Sequence, residues 1–242
     1  MSISPQAQSF IDYMKISVAL AAYKGEQYIT EQLDSILRQL GENDEIIVSD
    51  DYPQGKTRDE VLKFQDKRIR YIEGNGEGVV KNFENALRAC TGDVVFLCDQ
   101  DDVWHPDKVE SVMKEIKNGA DLVLHDAAVA DSALNITEPS YFAIHGSNSS
   151  FLGNIIRNSF VGCCMAFRKE TLLASLPFPE GLAMHDWWIA LVAMKKKQKV
   201  VLLDKPLIKW RRHDSTVTGG KTSFWQKIKW RLNIILSLAR IR

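Results

Sequence analysis

The 242 residues are 45% hydrophobic and 26% charged, with 31 basic side chains against 31 acidic ones. These are the proportions of an ordinary globular protein with one large core or two small ones. Zero net charge argues against a nucleic-acid binder working by bulk electrostatics, and no stretch reaches the ~18 apolar residues of a membrane-spanning helix. The balance is uneven, because residues 221–242 carry six Lys/Arg and no acid, leaving the first 220 at net −6.

Along the chain, "KISVALAAY" (15–23) predicts a buried strand and "EQYITEQLDSILRQL" (26–40) an amphipathic helix. In the latter, Ile29, Leu33, Ile36, Leu37 and Leu40 share one face, and Gly41 is a suitable stop. "EIIVSDD" (45–51) is a second strand, followed by the turn "YPQGKT" and a short helix over 57–64. "RIRYIE" is a third strand, "GVVKNFENALRAC" a helix and "GDVVFLC" a fourth strand. Then come the helix of "HPDKVESVMKEIKNG", with Pro106 near its first turn, and a fifth strand in "ADLVLHDAAV".

Strands apolar on both faces and alternating with helices predict an α/β fold: a Rossmann-like, mostly parallel central sheet with helices on both faces. Ligands of such sheets bind beyond the carboxyl ends of the strands. Tyr23-Lys24-Gly25, Asp50-Asp51, Asp99 to Asp102 and His125-Asp126 all arrive at that edge. From about Asp131 the alternation breaks. "VGCCMAFRKETL" suggests a strand, a turn and a helix start, "HDWWIALVAMKK" a helix, and "KVVLLDKPLIKWRRH" two extended segments. No linker or repeat divides residues 1–220, which read as one domain.

Cys90, Cys98, Cys163 and Cys164 form no Cys-x-x-Cys pair, which predicts reduced thiols in a cytosolic protein rather than a disulfide framework. The opening "MSISPQAQSFIDYMK" has neither a basic start nor a long apolar run, so no signal peptide is expected.

The run "VVFLCDQDDVWHPDKV" (94–109) ends a buried strand on Asp99, Asp101 and Asp102. Carboxylates so close raise one another's pKa unless a positive charge sits among them. One reading is a solvated loop in which Asp102 favours the start of the next helix. The other is a divalent cation, and oxygen ligands suit Mg²⁺ or Mn²⁺ shared with a diphosphate.

The run "GVVKNFENALRACTGDVVFLCDQDDVWHPDKV", with "ISVALAAYKGEQYITEQLDSIL" and "EIIVSDD", resembles the family-2 glycosyltransferases, GT-A-fold enzymes that use nucleotide-sugar donors. The resemblance covers residues 15–130 closely and 155–220 more loosely. It implies a nucleotide-sugar-binding half (15–130) and an acceptor and catalytic-base half (131–220). It also implies that Tyr23 and Asp51 hold base and ribose, that Asp99 lies near ribose and metal, and that Asp101 is the principal metal ligand. This chain reads "AAYKGE" and "DDYPQG" where the family often has a Thr or Pro with an Asn, and "DDGS", so the base that is read stays open.

In the same family an acid opening a helix in the second half is the general base, and Asp186 of "HDWW" holds that place; a helix cap is the ordinary alternative. An attacking sugar hydroxyl must lose its proton, and a carboxylate suits that task. Trp187 and Trp188 are candidates for an acceptor wall, although neighbours on a helix do not face the same way. His213, after the base-bearing helix, is the third candidate metal ligand by resemblance. Arg211 and Arg212 are candidates for the diphosphate. Lys81 is a candidate for the nucleotide, and Trp104 and Asp126 for the donor sugar, each with an ordinary structural role as the alternative.

"GNGEGV" (74–79) lacks the third glycine of a dinucleotide fingerprint, and no Gly-x-Ser-x-Gly elbow supports a hydrolase. In the tail (221–242), Trp225, Ile228, Leu232, Ile235 and Ala239 share a helical face with Phe224 and Leu236 alongside. The helix either packs on protein or lies on an anionic inner leaflet. The expectation is an inverting, metal-dependent hexosyltransferase using a dTDP- or UDP-sugar and a glycan or lipid-linked acceptor. It would be cytoplasmic, with possible peripheral contact on the inner face of the plasma membrane. "DQDDVW" with "RRHDSTVTG" is similar to bacterial rhamnosyltransferases using dTDP-rhamnose to build surface polysaccharides. The alternative is a non-catalytic nucleotide- or glycan-binding GT-A-like domain or a synthase subunit.

Overall fold

The computed structural model describes residues 13–213 and 223–241. In its first half β1 (Ile16–Ala22), α1 (Ile29–Leu37), β2 (Glu45–Asp50), α2 (Thr57–Leu62), β3 (Ile69–Glu73), α3 (Val79–Ala89) and β4 (Val94–Asp99) alternate as expected. Every residue of β1 is buried, so side chains pointing to either face of the sheet are covered. These four strands pair in parallel in the order β3-β2-β1-β4. The chain thus steps outward from β1 to β3 and then returns to place β4 on the other side of β1. That reversal opens a crevice at the carboxyl ends of β1 and β4, the place where ligands of such sheets bind.

The second half contains β5 (Val103–Trp104), α4 (Lys108–Lys117), β6 (Leu122–Ala130), β7 (Ile136–Glu138), α5 (Tyr141–His145) and α6 (Phe151–Ile156). A 3-10 turn at Gly162–Cys164 leads to β8 (Met165–Arg168), α7 (Lys169–Ser175), α8 (His185–Lys195), β9 (Val200–Arg211) and α9 (Phe224–Ala239). These strands extend the same sheet past β4 in the order β8-β6-β9-β5, with β7 on β6. β8 runs antiparallel to both neighbours, whereas β6 and β9 are parallel. One sheet therefore serves both halves.

Several boundaries differ from expectation. Within residues 199–213, Val200–Arg211 form one 12-residue strand, not two extended segments. Its pairing with β6 shifts register between His125–Leu203 and Asp126–Pro206, where the missing N–H of proline is tolerated. His125 and Asp126 lie inside β6, not at its end. α4 begins at Lys108 with Asp107 before it, so Asp102 caps no helix. All four cysteines are free thiols.

Helix α8 is buried on nearly every side, from His185 to Ala193, as a helix apolar all round must be. The tail helix α9 packs on it through Ile234, Ser237 and Leu238. The stripe read from the sequence, with Trp225, Leu232 and Ile235, is turned outward and exposed.

Candidate active site

Tyr23 follows β1 and is half exposed, its ring edge-on to Tyr52 at 5.7 Å. The Lys24 ammonium lies 4.8 Å from the Tyr52 ring centroid. Gln100, inside the acidic run, reaches across the crevice: its Oε1 accepts from the Tyr23 N–H at 2.8 Å and its Nε2 donates to the Tyr23 carbonyl at 3.0 Å. The buried Asn82 ties the ends of β1 and β2 by donating to the carbonyls of Ala22 and Ser49. The carboxylate of Asp51 accepts the N–H groups of Gly76 (2.8 Å) and Gly78 (2.7 Å), both glycines at positive φ. The "GNGEGV" loop is therefore a wrap around Asp51, and glycine supplies the left-handed backbone it needs.

At the end of β4, Asp99 is pushed up to about 7 by burial and by the charges of Asp101 and Asp186. His213 Nε2 lies 2.7 Å from Asp101 Oδ2, and its ring stacks on Tyr28 at 5.0 Å. The loop is held from behind by Arg211, which is 4% exposed. Arg211 donates to the carbonyls of Asp101 (2.7 Å) and Ser132 (2.6 Å) and pairs with Glu31 at 2.5 Å. Its backbone N–H donates to Asp102 Oδ1 at 3.0 Å. Arg211 is thus a brace of the acidic corner rather than a free diphosphate ligand. Asp102 is buried, and burial with its two neighbouring acids pushes its pKa well up.

Asp99, Asp102 and Cys163 also bring ligand atoms within 4.8 Å of one another. Beside them, however, the fully buried Lys108 donates to the Cys163 carbonyl at 2.8 Å and lies 4.1 Å from the Trp104 ring centroid. Its amine already fills that pocket, and burial holds its pKa below the usual lysine value. Trp104 is accordingly core, 3% exposed against Phe96, and not part of a sugar pocket.

Asp186 opens α8 at the other side of the crevice. Its Oδ2 accepts from the Gly162 N–H at 3.0 Å and its Oδ1 from the Trp187 N–H at 2.5 Å. Burial nevertheless pushes its pKa up to about 7, despite those bonds and one to Asn158. Gly162, which Asp186 holds, is followed by Cys163, whose thiol lies within 4.8 Å of an Asp99 oxygen, so base candidate and acidic corner are neighbours.

The chain's sequence matches the profile "Glycosyl transferase family 2" over residues 17–173. It is a family-2 glycosyltransferase. The glycosyltransferase is 27% identical over 235 residues to the dTDP-rhamnosyl transferase RfbG of Shigella flexneri, covering 89% of this chain and 78% of that one. It is 26% identical to a β-1,3-glucosyltransferase of Escherichia coli, WfgD, named for UDP-Glc and α-D-GlcNAc-diphosphoundecaprenol, over 87% and 81% of the two chains. Among solved structures, TarS 1–349 of S. aureus in complex with UDP-GlcNAc superposes with a TM-score of 0.73 at 21% identity, covering 92% of this chain and 67% of that chain. The mannosyltransferase PcManGT of Pyrobaculum calidifontis, solved with GDP-Man and Mn²⁺, gives a TM-score of 0.62 at 18% identity over 95% and 65%. The glycosyltransferase has the GT-A fold, and spans about two thirds of these structural neighbours.

Within the family-2 glycosyltransferase, several expected site residues have other duties. Trp187 and Trp188 are buried, their indole N–H groups donating to the carbonyls of Asn154 (2.6 Å) and Ser175 (2.8 Å). They are core residues, because a helix buried on both sides leaves neither free for an acceptor. Asp126 spends both oxygens on the start of α5, accepting from the Phe142 N–H at 2.8 Å and the Ser140 hydroxyl at 2.5 Å. It positions α5 instead of meeting the donor sugar. Lys81, expected at the nucleotide, pairs with Glu180 (2.9 Å) and Glu84 (3.3 Å).

The aromatic group whose surroundings include the charge of Asp186 is instead Tyr141, which gathers His145 and Trp210 around it. Tyr141 stacks on His145 at 4.9 Å and meets Trp210 edge-on at 5.0 Å. Arg212 lies over Trp210 at 4.7 Å, and burial, with smaller effects of Cys164 and the charge of Asp186, pushes Tyr141 up to about 12. The lone Tyr in "SYFAIHG" carried no periodic signal that could mark it. The part of "RRHDSTVTG" beyond His213, and residues 221 and 222 and 242 of the tail, lie outside the described residues.

The corner fits a divalent cation. Asp99 is held near 7 partly by two like charges, a condition that a bound cation relieves. Two carboxylates with an imidazole suit Mn²⁺ or Mg²⁺, and the nitrogen ligand favours manganese.

Proposed function

We propose that this glycosyltransferase is an inverting, metal-dependent hexosyltransferase that moves a sugar from a dTDP- or UDP-linked donor to a hydroxyl of a glycan or lipid-linked acceptor. The observation that carries the reading is Asp186, a buried carboxylate that opens α8 and is joined through Gly162-Cys163 to the acidic corner, its pKa pushed up to about 7 by burial. Such a group is poised to take a proton near neutral pH.

Tyr23 and Asp51 would hold the nucleoside in the half spanning 15–130. Asp101, with Asp99 and His213, would hold Mn²⁺ or Mg²⁺, which when bound supplies positive charge to the donor diphosphate. Asp186, in the half spanning 131–220, takes the proton of the acceptor hydroxyl as its oxygen forms the new bond to the anomeric carbon. The nucleoside diphosphate departs with the electrons of the broken bond, so configuration inverts in one displacement. Tyr141 and Trp210 replace Trp187 and Trp188 as the acceptor wall, offering ring faces to a sugar. Arg212 beside them is a suitable partner for an anionic group next to that sugar.

Rhamnose as the transferred sugar is supported by the similarity to RfbG, and a diphospholipid-linked acceptor by the name of WfgD. Both fit assembly of a surface polysaccharide on the cytoplasmic face of a membrane, with α9 as the membrane contact. Calorimetric titration of dTDP and UDP with and without Mn²⁺, followed by donor-hydrolysis and transfer assays, tests the reading. Metal-dependent nucleotide binding with no hydrolysis or transfer would leave a binding domain in its place.

A further inference from the structure

We propose that α6 and α9 together form a docking surface for an anionic lipid bilayer, with α9 lying in the interface. At 3.6 residues per turn, Phe224, Trp225, Ile228, Leu232, Ile235 and Leu236 fall within about a third of the helix circumference. Trp225 is 76% exposed and Leu236 62%, because α9 seats on α8 through the opposite stripe of Ile234, Ser237 and Leu238. Lys227 and Arg231 run along one edge of the exposed stripe, Lys229 and Arg240 along the other. An apolar stripe edged on both sides by cations is the pattern of a helix that lies in a headgroup layer.

The surface does not stop at α9. Arg231 donates twice to the Ile156 carbonyl, at 3.1 and 2.5 Å, tying α6 alongside. α6 turns Leu152 outward at 71% exposure and Ile156 at 66%. An apolar groove of about 450 Å³ between α6, α8 and α9 is lined by Phe151, Ile155, Met194 and Ile235, with Lys195 and Lys197 at its rim. Contiguous exposed apolar surface of this kind marks an interaction site.

Charge selects the occupant. Residues 139–169 and 215–242 contain no Asp or Glu. The neighbouring Glu180 gives its backbone carbonyl to Asn233 and its carboxylate to Lys81. A second copy packed face to face on this surface would set the Lys and Arg of α9 against their counterparts, with the adjacent Glu180 already paired to Lys81, at a cost in repulsion. An anionic headgroup layer supplies the missing charge. The surface also adjoins the base: Asn154 of α6 accepts the indole N–H of Trp187, the residue after Asp186. Docking would turn the acceptor side of the cleft toward the lipid. The inference deepens the proposed lipid-linked acceptor, but membrane binding is read without turnover, so either can fail alone.

The test is flotation of the full chain with vesicles of phosphatidylcholine containing a third phosphatidylglycerol, against phosphatidylcholine alone. Binding to the anionic vesicles is expected to exceed that to neutral ones by about tenfold or more and to fall in high salt. Trp225 emission should shift to the blue on binding. Leu232→Ser/Leu236→Ser on α9 and Leu152→Ser/Ile156→Ser on α6 should each reduce flotation about tenfold, with melting temperature and nucleotide binding unchanged. Absence of flotation on the anionic vesicles would overturn the proposal, as would wild-type flotation by the α6 variant. A dimer in sedimentation that the α9 variant converts to monomer would assign the surface to a second copy and also overturn it.

Discussion

Gly25 and Gln100 occupy each other's space. A Cβ built on Gly25 would stand 2.1 Å from Gln100 Oε1, the atom that accepts from the Tyr23 N–H. The glycine after β1 is thus the cavity in which the amide of the acidic run sits. Gly25→Ala should displace that amide and cost about 1–3 kcal/mol, measured by denaturant unfolding. In a Gln100→Ala background the same change should cost much less. Additive costs in that double-mutant cycle would disprove the coupling.

Asp186→Asn keeps the shape of the base but not its proton affinity. Turnover should fall by two or more orders of magnitude, roughly the range of a lost general base, while calorimetric affinity for donor nucleotide stays within about twofold. Near wild-type turnover would remove Asp186 from the role of base.

The same carboxylate sets two opposed pH dependences. The wild-type rate should rise with pH through about 7 as Asp186 ionises. Stability runs the other way: a carboxyl whose folded pKa is raised contributes stability below the unfolded value near 4, and that stability is lost as pH rises through about 7. Asp186→Asn should therefore raise the melting temperature at pH 8, by the equivalent of about 2 kcal/mol, and the gain should vanish toward pH 4. A gain that does not depend on pH would show that ionisation is not its source.

Asp101→Ala should weaken both Mn²⁺ and donor nucleotide, since it removes the carboxylate that meets His213 at 2.7 Å. His213→Ala should weaken the metal by about 10–100-fold, as loss of a metal-orienting group does. Chelation by EDTA should abolish transfer, with recovery on adding Mn²⁺. Full activity in EDTA would dismiss the cation.

Arg211→Ala removes the brace behind that corner. It leaves Glu31 without its 2.5 Å partner and the Asp101 carbonyl without its 2.7 Å donor. A loss of about 2–3 kcal/mol is expected, chiefly from the Asp101 and Ser132 carbonyls left without donors, with little from the half-exposed Glu31, read by thermal melting. Arg211→Lys should rescue little, because one ammonium cannot span the three acceptors.

What the sequence determined by itself was local or one-dimensional. The parallel first half, the acids delivered to its edge and the acid at the head of α8 could all be read from apolar runs and short motifs. Side-chain period and strand-end polarity depend on neighbours along the chain. The tertiary structure decided which of those polar groups remain free. Arg211, Asp126 and Lys81 look like ligand-binding residues as letters, yet each is engaged by partners 14 to 180 positions away. Trp187 and Trp188 look like a sugar platform, but α8 is covered on both sides, whereas Tyr141 and Trp210 meet from elements far apart in sequence. The stripe on α9 was legible, but not its direction. A helix with two apolar stripes can seat on either, and only packing against α8 selects the one that is covered.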